Sequence, residues 1–153
     1  MRMLVQKVKQ AKVLVDCKVV GSIEQGLCVF VGFSIEENPK ELSKQVNKLL
    51  GLRIFPNEEG KMHSNVIDAQ GEILVVSQFT LYAELSGRRP SFTKSMPSAQ
   101  ANKLYDDFVN ELIFQMSQHL ENFKIATGIF GAHMEVDLIN DGPLTFWIDS
   151  EVS

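Results

Sequence analysis

Three short stretches hold residue types whose spacing can do chemistry. The first is Ser77-Gln78-Phe79-Thr80, which follows the apolar run 72–76. A strand that stops abruptly can aim side chains and backbone N–H groups into a neighbouring cleft. Two hydroxyls and a carboxamide there can position a polar substrate, or they can satisfy nearby backbone as the strand ends. Thr80 invites a nucleophile reading, but a threonine nucleophile needs an adjacent base. None stands near it in sequence, so a positioning role is favoured. The second stretch is Asn140-Asp141-Gly142-Pro143, turn chemistry between two strand-like runs. Read locally it is a hairpin tip. The third is Gly87-Arg88-Arg89-Pro90, with Lys94 beyond it. Guanidinium forks grip phosphate bidentately, while a solvated polar loop is the plainer reading.

Much other chemistry is missing. The chain has no Gly-rich phosphate loop, no GxSxG elbow and no HExxH pair. His63, His119 and His133 are scattered without metal-ligand spacing, and a structural role is expected for all three. Cys17 and Cys28 form no CxxC pair and have no local activating feature. No metal is expected.

The elements that must position these stretches read as one domain over residues 1–153. Hydrophobic content of 44% and charged content of 22% are ordinary for a soluble domain. The net charge of −4 argues against general nucleic-acid binding. Its distribution is uneven. Residues 1–12 carry Arg2, Lys7, Lys9 and Lys12 and no acid, and residues 125–153 carry five acids and no Lys or Arg. No apolar run is long enough to span a bilayer, and the N-terminus lacks the core of a secretory signal. Two thiols make no disulfide framework, so a cytoplasmic setting is the default.

Period-two patterns predict strands at 1–8 and 11–16, with Gly21 as a turn glycine, and a buried strand at 26–33. Asn38 and Pro39 open a helix whose face is Leu42, Val46, Leu49 and Leu50, closed by Gly51. Strands are expected at 52–55 and 65–69, then from 72 to about 80. A long polar loop precedes a second helix at 98–120, whose face is Leu104, Phe108, Leu112 and Met116. Strands flanking Asn140–Pro143 end the chain. The plan is α+β, with mainly antiparallel sheets, sandwich or barrel-like, and two helices packed on one side.

Taken together, MRMLVQKVKQAKVLVD, IEQGLCVFVGF, SQFTLYAELSGRRPSF and TGIFGAHMEVDLINDGPLTFWID resemble, in order and end to end, the D-aminoacyl-tRNA deacylases of the bacterial and eukaryotic type. The SQFTL and NxGPxT motifs are specific as a pair. The resemblance implies a cytoplasmic homodimer that hydrolyses the ester between a D-amino acid and tRNA, with no metal and no organic cofactor. It implies an active site at the dimer interface. Ser77, Gln78, Phe79 and Thr80 would form one wall, and Gly142 and Pro143, joined by a cis peptide, would reach in from the other subunit. Arg88, Arg89 and Lys94 could then meet acceptor-stem phosphates, with no DNA and no membrane as partner. Two positions depart from the common pattern: Leu144 stands where Val is usual, and Lys7 where many members have Arg. A non-catalytic interaction module of the same fold, or a small-ester hydrolase that ignores RNA, are the rival readings.

Overall fold

The structure is a computed structural model that describes residues 1–151. Its elements run β1 (Arg2–Val15), β2 (Lys18–Ile23), β3 (Gly26–Gly32), α1 (Leu42–Leu50), β4 (Phe55–Pro56), β5 (Met62–Ser64), β6 (Glu72–Ser77), α2 (Ser98–Ser117), β7 (Ile125–Thr127) and β8 (Glu135–Asp149). Short 3-10 turns occupy Pro39–Glu41 and Phe79–Tyr82.

One six-stranded sheet dominates, in the order β2-β1-β3-β6-β7, with β8 also paired to β1. It is mixed, with antiparallel pairing in the majority. β1 pairs antiparallel with β2, β3 and β8, but β3–β6 and β6–β7 are parallel. Parallel neighbours need long crossovers, and the chain supplies them: α1 and the β4–β5 pair lie between β3 and β6, and α2 lies between β6 and β7.

The sheet curls until its two ends nearly meet. Gly21 is not in a turn; it sits inside β2 opposite Val13. A Cβ at Gly21 would lie 2.2 Å from the Thr127 carbonyl oxygen of β7. Only a residue without a side chain allows the two end strands to approach so closely.

Two cores follow from this curl. On the outer side both helices pack against the sheet: Val46, Leu49, Leu104, Phe108 and Leu112 meet Met3, Val5, Val29 and Val75. Phe108 is fully buried, and truncating such a ring to alanine costs about 3–5 kcal/mol. Inside the curl lie Val8, Ala11, Val13, Cys28, Leu74 and Val76. β1 serves both cores because its alternation is interrupted. Lys7 and Val8 are buried in succession and Lys9 and Gln10 are exposed in succession, and the pairing with β8 slips at the same two places.

Three expected strands differ. The strand predicted at 52–55 begins only at Phe55. Residues 65–69 form a turn, because the Asn65 side chain accepts from the N–H groups of Ile67 (2.8 Å) and Asp68 (2.9 Å). β6 stops at Ser77 rather than near Thr80. The helices fall where the apolar spacing puts them, with α2 ending at Ser117.

Candidate functional site

β6 is apolar and buried along its length and ends in the half-buried Ser77. Gln78 donates its N–H to the Val31 carbonyl (2.7 Å). The chain then breaks into the 3-10 turn Phe79–Tyr82. The first N–H groups of such a turn have no partner within it, and among the described residues no hydrogen bond engages the N–H of Phe79 or Thr80. The Gln78 carboxamide donates to the Thr80 hydroxyl. Among the described residues no base contacts that hydroxyl.

A cavity of about 550 Å³ opens beside this break. Ser77, Gln78 and Phe79 line one side, and Phe92, Phe130 and His133 line others. Thr80 is exposed and lies outside the lining. The Phe79 ring is 57% exposed and meets Phe92 at 4.9 Å between centroids. Ser95 donates its hydroxyl to the Phe79 carbonyl (3.1 Å), so the polar loop is fastened to the same turn. His133, for which the sequence suggests only a structural role, lines the cavity, and no spacing around it signals this. Burial pushes the Cys28 thiol up to about 12, so it is inert as a nucleophile.

The loop's basic residues diverge. Glu84 and Ser91 pair through both backbone groups and close off the segment that carries the exposed Arg88 and Arg89. Lys94 lies at the loop's base, in an ion pair with Glu84 (2.9 Å).

Residues 139–145 do not form a hairpin tip. β8 runs from Glu135 to Asp149, and both flanks of the motif pair with β1. Thr145 lies opposite Gln6 and Asn140 opposite Val8, so residues 141–144 stand against Lys7 alone. The motif is a large bulge, a device that re-aims backbone without ending a strand. Turn-forming residues bend the chain outward here, and the ladder on either side keeps it from reversing.

The bulge is tied at its base. Asn140 Nδ2 donates to the carbonyls of Lys7 (2.9 Å) and Leu144 (3.0 Å). Lys7 Nζ lies 2.9 Å from Asp141 Oδ2, with a side chain only 8% exposed. Lys7 therefore has a partner in the bulge without the planar fork of an arginine. The Gly142-Pro143 peptide is cis, as the sequence resemblance implies. Gly142 has φ +128°. Both residues are exposed, and neither lines the cavity of its own chain.

No group of three or more His, Cys, Asp or Glu that could hold a metal occurs among the described residues, and none of their helices is long and apolar enough to cross a membrane.

Residues 4–149 match the sequence profile of the family described as D-Tyr-tRNA(Tyr) deacylase. The chain is 47% identical to a D-aminoacyl-tRNA deacylase of Thermosipho africanus (strain TCF52B), covering 99% of this chain and 98% of that one. It is 48% identical to the D-aminoacyl-tRNA deacylase of Aquifex aeolicus (strain VF5), covering 98% of each. Among solved structures, it superposes on a c-Myc DNA unwinding element binding protein with TM-score 0.90 and 42% identity, over 98% of this chain and 99% of that one. It superposes on a probable eukaryotic D-amino acid tRNA deacylase with TM-score 0.81 over 96% of this chain and 97% of that one. The identity there is 20%, a likeness of fold.

Proposed function

This chain belongs to the D-Tyr-tRNA(Tyr) deacylase family, and on that premise we propose that it is a cytoplasmic hydrolase that cleaves the ester joining a D-amino acid to the end of its tRNA. The observation that carries the reading is the break after β6. It leaves the N–H groups of Phe79 and Thr80 unengaged beside a cavity walled by Ser77, Gln78 and Phe79.

An aminoacyl ester on ribose is already activated, and the neighbouring ribose hydroxyl can assist its hydrolysis. Such a reaction needs positioning and stabilisation of the developing oxyanion more than a strong base. Ser77, Gln78, Phe79 and Thr80 supply positioning, and the two backbone N–H groups suit the ester carbonyl oxygen. Phe79, Phe92 and Phe130 offer the apolar surface on which a terminal base can stack. This chemistry calls on no metal or organic cofactor.

Gly142 and Pro143 act in a second copy's site. The bulge is exposed, it lies outside its own chain's cavity, and its strand also exposes Ile139 and Trp147. Those features support a homodimer in which each copy lends its bulge to the other. The carbonyl groups of the bulge are suitable acceptors for the substrate ammonium. With ammonium and ester both fixed, handedness assigns the side chain. A D-residue sends it to solvent and an L-residue sends it into the Gly142-Pro143 wall. Selectivity then comes from rejection. D-side chains of many kinds are accepted, and glycine, which has nothing to reject, is also cleaved from its tRNA. Arg88, Arg89 and Lys94 meet tRNA phosphates, which position without reading sequence.

Matched D-, L- and glycyl-tRNA hydrolysis tests the reading. The expected order is D-aminoacyl-tRNA cleaved, glycyl-tRNA cleaved to some degree, and L-aminoacyl-tRNA spared. Equal cleavage of a free D-amino acid ester would point to a small-ester hydrolase. No cleavage of any ester would point to a non-catalytic module. Mixing a Gln78→Ala chain with a Pro143→Ala chain tests the shared site, because recovery of activity on mixing requires two copies in one site. Replacing Arg88 and Arg89 by Ala weakens tRNA binding and flattens its salt dependence.

A second reading, DNA binding, has one support: the name of a solved neighbour at 42% identity. The net charge of −4 argues against it. Binding to duplex DNA at physiological salt that outcompetes aminoacyl-tRNA would favour it.

A further inference from the structure

The turn that carries Phe79 and Thr80 leaves the sheet at Ser77, so no strand ladder holds its far end. Arg2 reaches that end. Its Nη1 donates to the Leu81 carbonyl (3.0 Å), and its Nε donates to Asp149 Oδ2 (2.9 Å). Its guanidinium lies 4.4 Å from the Tyr82 ring centroid and 5.6 Å from that of Trp147. One planar cation thus joins β1, β8 and the 3-10 turn. Asp149 is itself held, because its Oδ1 accepts from the Glu151 N–H (3.0 Å). Burial alone would raise the Asp149 carboxyl; the Glu151 N–H and the Arg2 hydrogen bond and charge outweigh it and hold the carboxyl below its ordinary value.

We propose that Arg2 is a positioning residue for the deacylation. Through the Leu81 carbonyl it fixes the tilt of the turn 79–82, and so the direction of the Phe79 and Thr80 N–H groups. The proposal rests on the deacylase reading above. Arg2 does not line the cavity, so it acts through the turn and not on substrate. β1 and β8 are already paired on both sides of the bulge, so losing Arg2 loosens the turn far more than the ladder. Lysine is a poor replacement, since its single nitrogen would have to reach both acceptors that the guanidinium meets with two, Nε and Nη1.

Single-turnover hydrolysis of a D-aminoacyl-tRNA by wild type, Arg2→Lys and Arg2→Ala tests this. The expected result is a saturating rate about 10–100-fold lower in both variants, a fraction of what a lost oxyanion donor costs. The enzyme concentration giving half-saturation stays within about twofold, since an equal loss there would be 0.4 kcal/mol or less. The Arg2 side chain is 27% exposed, so guanidinium ion at low millimolar concentration restores part of the Arg2→Ala rate, and methylammonium does not. If Arg2→Ala does not fold, the rate and half-saturation of Arg2→Lys decide alone. Variants that keep the wild-type saturating rate overturn the proposal. So does a rate loss that merely tracks the unfolded fraction and is indifferent to guanidinium. A wild-type protein inactive in the same assay removes the functional reading itself.

Discussion

Gly142→Ala is the most direct probe of the bulge. Gly142 has φ +128°, a conformation that L side chains rarely adopt, and a Cβ there would lie 2.7 Å from Leu144 Cγ and 2.9 Å from Leu144 N. The leucine side chain can rotate away; the backbone nitrogen cannot. Holding a non-glycine residue in such a region costs about 1–3 kcal/mol. At about 2–4 °C per kcal/mol for a chain of this size, the melting temperature falls by about 2–12 °C. The base of the bulge is fixed by Asn140 and by the Lys7–Asp141 pair, so the relief comes at residues 142–144, the proposed chiral wall. If the displaced wall forfeits a similar 1–3 kcal/mol of rejection, cleavage of L-aminoacyl-tRNA relative to D rises about 5–150-fold. Thermal melts and parallel single-turnover hydrolysis of D- and L-tyrosyl-tRNA measure both effects. A melting temperature within about 1 °C of wild type, together with an unchanged D-to-L ratio, refutes both the backbone argument and the rejection model.

Asn140→Ala removes the donor shared by the Lys7 and Leu144 carbonyls; urea unfolding should show a loss of about 1–3 kcal/mol. Tyr82→Phe should be neutral or stabilising, because the Tyr82 hydroxyl is buried and has no hydrogen-bond partner among the described residues; a lower melting temperature would reveal an unrecognised partner. Asp149→Asn should flatten the acid limb of stability. The folded carboxyl titrates below its unfolded value, so its contribution is full above the unfolded pKa of about 3.9 and is lost as pH falls through the lower folded value. Urea unfolding free energies of wild type and variant, followed by circular dichroism across pH, would therefore differ by a constant amount above about pH 4 and converge below it.

The helices were legible because their apolar faces are local facts. Leu42, Val46, Leu49 and Leu50 mark α1, and Leu104, Phe108, Leu112 and Met116 mark α2. The end of β6 was less legible. Phe79 and Leu81 continue a strand-like alternation, and the groups that hold the turn are distant in sequence: the Val31 carbonyl on Gln78 and Arg2 on Leu81. The bulge was misread for a related reason. Asn-Asp-Gly-Pro specifies a bend, but whether a bend reverses the chain depends on which strand the flanks pair with. Both pair with β1, which no local pattern states. Parallel pairing of β3, β6 and β7 was hidden likewise, since a short continuous apolar run marks burial on both faces without stating which way the neighbouring strand runs. The SQFT stretch, Gly142-Pro143 and the basic loop were all visible as unusual chemistry. Asn140 and Asp141 were visible only as turn formers, and their grip on Lys7 and Leu144 required the fold.

Residues 141–144 leave β1's side and rejoin it two steps later, a base about 7 Å wide. A hairpin tip is a cantilever, free to swing about its stalk and to sway more as it warms. An excursion clamped at both feet has no such stalk. Its compliance is that of the sheet beneath it. Stereochemical fidelity should therefore stay nearly level as temperature rises and then fail abruptly, in step with the melting of β1 and β8.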